Sequence, residues 1–180
     1  MNASDFVNVL SASAPSFKSL CSLGLNDTEA ESIRATHFCV LRNTPTQNLA
    51  TNELTELVTR WDTNKVEIGM VWLRGIPTLY QNRGLQVGSV EVDPLIITDN
   101  DSEVIVEEDR VPGHLLWKAA RSPGQFLDAL ALAAKFLSDR TVGAVDFDDL
   151  DAAKAAANKC AVLAGGDEYA GFYFMLLGAE

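Results

Sequence analysis

The chain has 180 residues, 47% of them apolar and 22% charged, which are values of a folded domain and exclude a disordered segment. Its formal net charge is −11. That charge disfavours direct contact with nucleic-acid phosphates or an anionic membrane, both of which need cations on the protein, and it favours fast encounter with a basic protein.

In chain order, Ser4 is placed to cap a short helix carrying Phe6, Val9 and Leu10 that ends before Pro15. Thr28 and Glu31 have the spacing of a capping box, so a second helix is expected to start there. His37 to Leu41 is a short apolar run of undecided type, and the polar NTPTQNLATN stretch that follows is expected to be a loop. Leu54, Leu57, Val58 and Trp61 then fall on one helical face.

The period changes at VEIGMVWL, where Val66, Ile68, Met70 and Trp72 alternate as in a strand. Gly75-Ile76-Pro77 reads as a turn. LQVGSVEV and PLIIT are the next strands, and Pro94, lacking an amide donor, belongs at a strand start or sheet edge. The continuous Leu95-Ile96-Ile97 run predicts burial on both faces. DNDS is the turn into the returning strand EVIVE, and HLLWKAA offers one more strand.

Helical spacing returns after Ser122, a good N-cap, with Pro123 in the first helical position and Gln125 set to complete a capping box; Phe126, Leu127, Leu130, Ala134 and Leu137 form the stripe. A helix with the small-residue face Leu150, Ala153, Ala157, Cys160, Ala161 and Ala164 follows, stopped by Gly165-Gly166 in left-handed conformation. Tyr169, Phe172, Tyr173 and Leu176 predict a final helix. With no internal repeat or linker, the expectation is one α+β domain over residues 1–180: a small twisted, mostly antiparallel sheet with helices packed on it and extra C-terminal helices.

Little here carries reaction chemistry. Asp99, Asp101 and Glu103 have the alternate spacing that opens a calcium loop, but Val104 stands where its glycine belongs and Arg110 where its closing glutamate belongs. Asp146, Asp148, Asp149 and Asp151 lie around a helix start, where capping accounts for acid. His37 and His114 are far apart, and no cysteine has ligand spacing, so neither zinc nor any other metal or cofactor is expected. Cys21, Cys39 and Cys160 are expected to be free thiols in a reducing compartment. There is no nucleophile elbow and no phosphate loop; His114 reads as a partly buried turn histidine, and Glu107 and Glu108, adjacent on a strand, point to opposite faces. No secretion signal shows in MNASDFVNVL, and no run nears the roughly 20 apolar residues of a spanning helix. The chain is expected to be cytoplasmic and non-enzymatic.

The order of pieces is the most informative feature. Ile68-Gly69, then VGSVEVDPLIITD, then EVIVEED, a tryptophan strand ending in KAARSP, and the helix FLDALALAAKFL together resemble the SUKH (Smi/Knr-like) superfamily. Val87-Gly88 matches its IG element, Asp93 to Ile97 its DP strand, and Ala120, Ser122, Phe126 and Leu127 its A-S-FL helix start. The match covers residues 66 to 138; Glu103 replaces the usual turn glycine, and the helices after residue 140 lie outside it. The resemblance implies a core over about residues 52–138 with a helical extension over about 148–178. It also implies an immunity protein that neutralises a toxin, with a basic toxin domain such as a nuclease as partner. The expected contact surface is an acidic rim of Glu91, Asp99, Asp101, Glu107, Glu108 and Asp109. The alternatives are a regulatory or scaffolding module of the same fold, or a small carboxylate-dependent hydrolase. The expected state is a monomer or a weak homodimer joined through Tyr169 to Leu177.

Overall fold

The structure, a computed structural model, describes residues 1–43, 51–99 and 102–179. It opens with the helices α1 (Ala3–Ser13), α2 (Phe17–Ser22) and α3 (Asp27–Ala35), then strand β1 (Val40–Leu41), helix α4 (Glu53–Arg60) and strand β2 (Trp61–Asp62). Six strands follow: β3 (Glu67–Ile68), β4 (Val71–Tyr80), β5 (Gly84–Val90), β6 (Asp93–Thr98), β7 (Val104–Glu107) and β8 (Leu115–Ala120). The chain closes with α5 (Pro123–Thr141), α6 (Leu150–Ala164), a 3₁₀ turn (Asp167–Tyr169) and α7 (Ala170–Leu177). β1 and β2 pair as a small antiparallel ribbon, and β3 to β8 form an antiparallel meander in sequence order. The architecture is therefore α+β, with helices packed on an antiparallel sheet.

One apolar cluster joins the sheet to the helices. Leu73, Val87, Leu95, Ile97, Val104 and Val106 meet Phe6 and Leu10 of α1, Leu54, Leu57 and Val58 of α4, and Phe126, Leu127 and Leu130 of α5. The last two helices enter the same cluster through Ala153, Ala157, Cys160, Phe172 and Tyr173. The Tyr173 hydroxyl, buried, donates to the Ala119 carbonyl at 2.9 Å. The Tyr169 hydroxyl donates to Glu103 Oε1 at 3.0 Å, and Lys118 bridges Glu103 and Glu168. The C-terminal helices are thus part of the folding core. Tyr169, Phe172, Tyr173, Leu176 and Leu177 of the segment expected to join a dimer are buried within the chain, while Phe174 and Met175 are half-buried.

Capping chemistry sets the helix starts, in places two residues earlier than the sequence spacing suggested. Asn2, not Ser4, caps α1, and Asn26 with Glu29, not Thr28 with Glu31, forms the capping box of α3, because asparagine offers the same acceptor one half-turn earlier. Ser122 caps α5 and accepts from the Gln125 amide, while the Gln125 side chain meets the Ser122 hydroxyl and leaves the box open. The stripe and the small-residue face lie as expected, except that Leu137 is only half-buried and Leu150 is exposed. Gly165 and Gly166 stop α6 at φ +126° and +135°. Most of the expected NTPTQNLATN loop lies outside the described residues.

The sheet departs from the expected strands at two points. VEIGMVWL is two strands joined by a tight turn at Gly69-Met70, with Ile68 paired to Val71. Both of those face the core, so the alternation changes phase and Trp72 is thrown onto the outer face. Gly75-Ile76-Pro77 lies inside β4: Leu73 pairs with Gly88 and Thr78 with Gln86, so residues 74–77 stand opposite Val87 alone. This bulge bends the β4–β5 hairpin. The chain turns instead at Gln81 and Asn82, both at positive φ. Pro94 stands near the start of β6, and Leu95, Ile96 and Ile97 are all buried, as expected.

Gly69 holds φ +58°, and a Cβ there would come within 2.9 Å of Leu176 Cδ1 and 3.2 Å of Leu137 Cδ1. Gly69→Ala should therefore lower unfolding free energy by about 1–2 kcal/mol from the left-handed backbone alone, with crowding adding to it, as read from urea denaturation. An unchanged midpoint would show that the turn does not constrain the β3–β4 phase.

Candidate docking surface

The antiparallel pairing of β6 and β7 distributes the expected acidic rim. Glu91 lies in the β5–β6 turn at φ +52°, and its amide donates to Met70 O at 2.9 Å. Glu107 ends β7, and Glu108 and Asp109 follow it at that same end of the sheet, where the Asp109 amide donates to Asp93 Oδ1 at 3.0 Å. Asp99 sits beyond Thr98 at the opposite end, and Asp101 lies outside the described residues. The described acids of the rim therefore lie at both ends of the sheet and do not form one surface. Glu91, Asp99 and Asp109 are exposed. Glu108 is half-buried and pairs with His114 Nδ1 at 2.7 Å; His114 itself is exposed, contrary to the partly buried histidine expected.

Glu107 is the clear correction. It is 1% exposed, with Oε1 paired to Arg83 Nη2 at 2.8 Å and Oε2 accepting from the Gly113 amide at 2.9 Å. Arg83 belongs to the β4–β5 turn at the Asp99 end of the sheet, where its carbonyl accepts from the Asp99 amide at 3.2 Å. Its side chain therefore reaches across the outer face to the far end of β7. Burial, and then the Glu107 and Asp109 carboxylates, push the Tyr80 phenol above its ordinary range, which places this hairpin strand near the same acids. Ile96 and Ile105, outside the main cluster, are buried on the face that the bridge crosses. Glu107 and Glu108 thus face separate partners, and Glu107 offers no exposed contact.

The most exposed aromatic on the sheet is the one that the alternation placed inside. Trp72 is 52% exposed. It lines a groove of about 820 Å³ between α3 and the β3–β4 edge, with Asp27, Glu31, Glu67 and Lys65 around it. Three carboxylates face one lysine there. An exposed indole flanked by carboxylates suits a cationic side chain, which can stack on the ring and pair with the acid. Spacing alone missed this group because α3 and β3 meet only through the fold; Gly69, next to the run, was the available signal of the phase change.

Asp149 caps α6 by accepting from the Ala152 amide at 2.9 Å, and Asp146 accepts from the Asp148 amide at 3.0 Å. Among the described residues no group of three or more His, Cys, Asp or Glu side chains is placed to hold a metal ion. All three cysteines are free thiols. Burial pushes the Cys39 and Cys160 thiols up to about 12, with Asp62 adding to the effect at Cys39, so neither carries a nucleophilic thiolate at neutral pH. Among the described residues no helix is long and apolar enough to cross a membrane.

The Arg83–Glu107 bridge makes an asymmetric prediction. Arg83 is 44% exposed and Glu107 is not, so removing the arginine strands a buried carboxylate. Arg83→Met should cost about 3 kcal/mol in urea unfolding, and Glu107→Gln, which keeps the shape and an acceptor for Gly113, about 1 kcal/mol. Equal costs would contradict this burial. In comparison with known proteins, the chain matches no family model, no curated protein and no solved structure.

Proposed function

We propose that this chain is a docking protein for a basic protein partner, and that the partner is a toxin domain it neutralises, as the SUKH resemblance implies. The observation that carries the reading is Trp72, half exposed in a groove walled by Asp27, Glu31 and Glu67. Interface energy concentrates in a few aromatic or arginine anchors, and a tryptophan ringed by opposite charge to its partner has that form. The net charge of −11 raises the encounter rate with a cationic toxin surface. Glu91, Glu108 and Asp109, at one end of the sheet, add rim charge that steers more than it binds. Neutralisation on this reading is by occlusion: the partner's cationic groove is filled by carboxylates and closed to its own substrate.

The test is capture of partners from the native host by the tagged chain, with the captured protein then expressed alone and with this chain to read growth. Wild type should retain a basic partner and suppress its toxicity. Trp72→Ala should lower retention at least about 30-fold, the effect of an interface anchor. Raising salt from about 50 to 500 mM should lower the capture rate through screening. Trp72 is half exposed, so its replacement should leave thermal unfolding nearly unchanged. Retention unaffected by Trp72→Ala and by salt, or a partner without toxicity, would contradict the proposal.

A further inference from the structure

The groove at Trp72 selects its occupant more closely than net charge does. Two elements wall it, and each brings a different kind of group. On the sheet side, Glu67 of β3 stands directly opposite Trp72 of β4 in the antiparallel register. Residues paired in that way share a face, with Cβ atoms about 5 Å apart. Both are exposed, so a carboxylate stands beside the indole on the solvent side. On the helix side, Asp27 and Glu31 lie four residues apart in α3, on one stripe that continues to Ala35. An aromatic plane thus has one carboxylate next to it and two more across a gap of about 820 Å³.

These carboxylates are not committed within the chain. Glu31 meets Arg34 Nη1 only loosely, at 3.6 Å, and its side chain is 70% exposed. Among the described residues Asp27 and Glu67 form no ion pair, and neither does Lys65, the one cation in the lining. Three carboxylates against one lysine leave the groove a formal charge of −2.

The indole and the acids together discriminate between cations. A lysine ammonium is a compact, strongly hydrated point charge, and stacking it on a ring strips water that the ring does not replace. An arginine guanidinium is planar and more weakly hydrated. It lies flat on an aromatic face while its five N–H groups stay free to donate from the edge. A guanidinium laid on Trp72 has one edge for Glu67 and another for the α3 stripe.

We infer that the Trp72 groove receives an arginine side chain of the partner, stacked on the indole, with its N–H groups shared between Glu67 and the Asp27–Glu31 stripe. The inference rests on the reading of this groove as a docking site. It makes arginine the anchor on the partner's side. It also makes Lys65 a brake on binding, since it is the like charge that the guest meets.

Three blocked tripeptides, acetyl-Gly-X-Gly-amide with X arginine, lysine or citrulline, test this on the full chain with no partner present. Citrulline keeps the shape and planarity of arginine without its charge. The readout is the indole ¹H–¹⁵N resonance of Trp72, assigned through Trp72→Phe, with the buried Trp61 as the unmoved reference. The arginine peptide should shift Trp72 saturably, binding about threefold tighter than lysine and about tenfold tighter than citrulline. Glu67→Gln should weaken the arginine peptide about two- to fivefold, and Lys65→Met should tighten it about twofold at low salt. The comparison of probes on the unaltered chain depends on no variant. No saturable shift at Trp72, lysine or citrulline as tight as arginine, or arginine affinity unchanged by Glu67→Gln would overturn the assignment. Selective arginine binding with no toxic partner captured would uphold the groove's preference and remove the toxin. Capture through Trp72 with lysine preferred would keep docking and overturn the arginine.

Discussion

An antiparallel sheet has two faces, and the helices of this chain cover one of them. The inner face is closed by α1, α4, α5, α6 and α7 in a single apolar cluster. Among the described residues the outer face has no such layer, yet it carries Ile96 and Ile105, which are buried. Its closure rests on a local device: the bulge in β4 bends the β4–β5 hairpin, and Arg83 crosses the face to a buried carboxylate on β7. A charge buried in that way is costly unless it is paired and hydrogen-bonded, and Glu107 has both conditions met, by Arg83 and by the Gly113 amide. The β3 side of the same face is left open, and there Trp72 stands in solvent beneath α3.

Helix α3 organises the open side. It buries only Ala30 of its own residues, so it does little for the core. Its position creates two concavities that share Thr36 and Glu67 in their walls. One is wide, acidic and floored by an indole. The other is smaller and mixes apolar and polar residues in its wall. Both depend on the β3–β4 turn, since Gly69 lines one cavity and fixes the phase that exposes Trp72 in the other.

Where one element decides its own environment, the sequence was readable. Leu54, Leu57 and Val58 are buried on α4 as their helical spacing predicts, while Trp61, expected on the same face, is buried as the first residue of β2; Ser122 and Gly165-Gly166 bound their helices by local chemistry. The buried Leu95-Ile96-Ile97 run was legible for the same reason, because three consecutive apolar residues leave no face for water. The candidate site was less so. Val66 to Trp72 keeps an alternating pattern across a turn, and a left-handed glycine inside it reverses which side faces the core. Glu107 looked like a solvated strand end because its partner, Arg83, comes from another hairpin, far from it along the chain. Glu91 and Asp99 stand at opposite ends of the sheet because strand β6 runs between them.

Site-specific photo-crosslinking in the native host tests most directly whether the open outer face is the working surface. A photoreactive residue at position 72 should give a covalent adduct with a basic partner, while one at Val162, an exposed apolar position on α6, should give none. An adduct at position 162 with none at 72 would place docking on the helical side of the molecule and contradict the account.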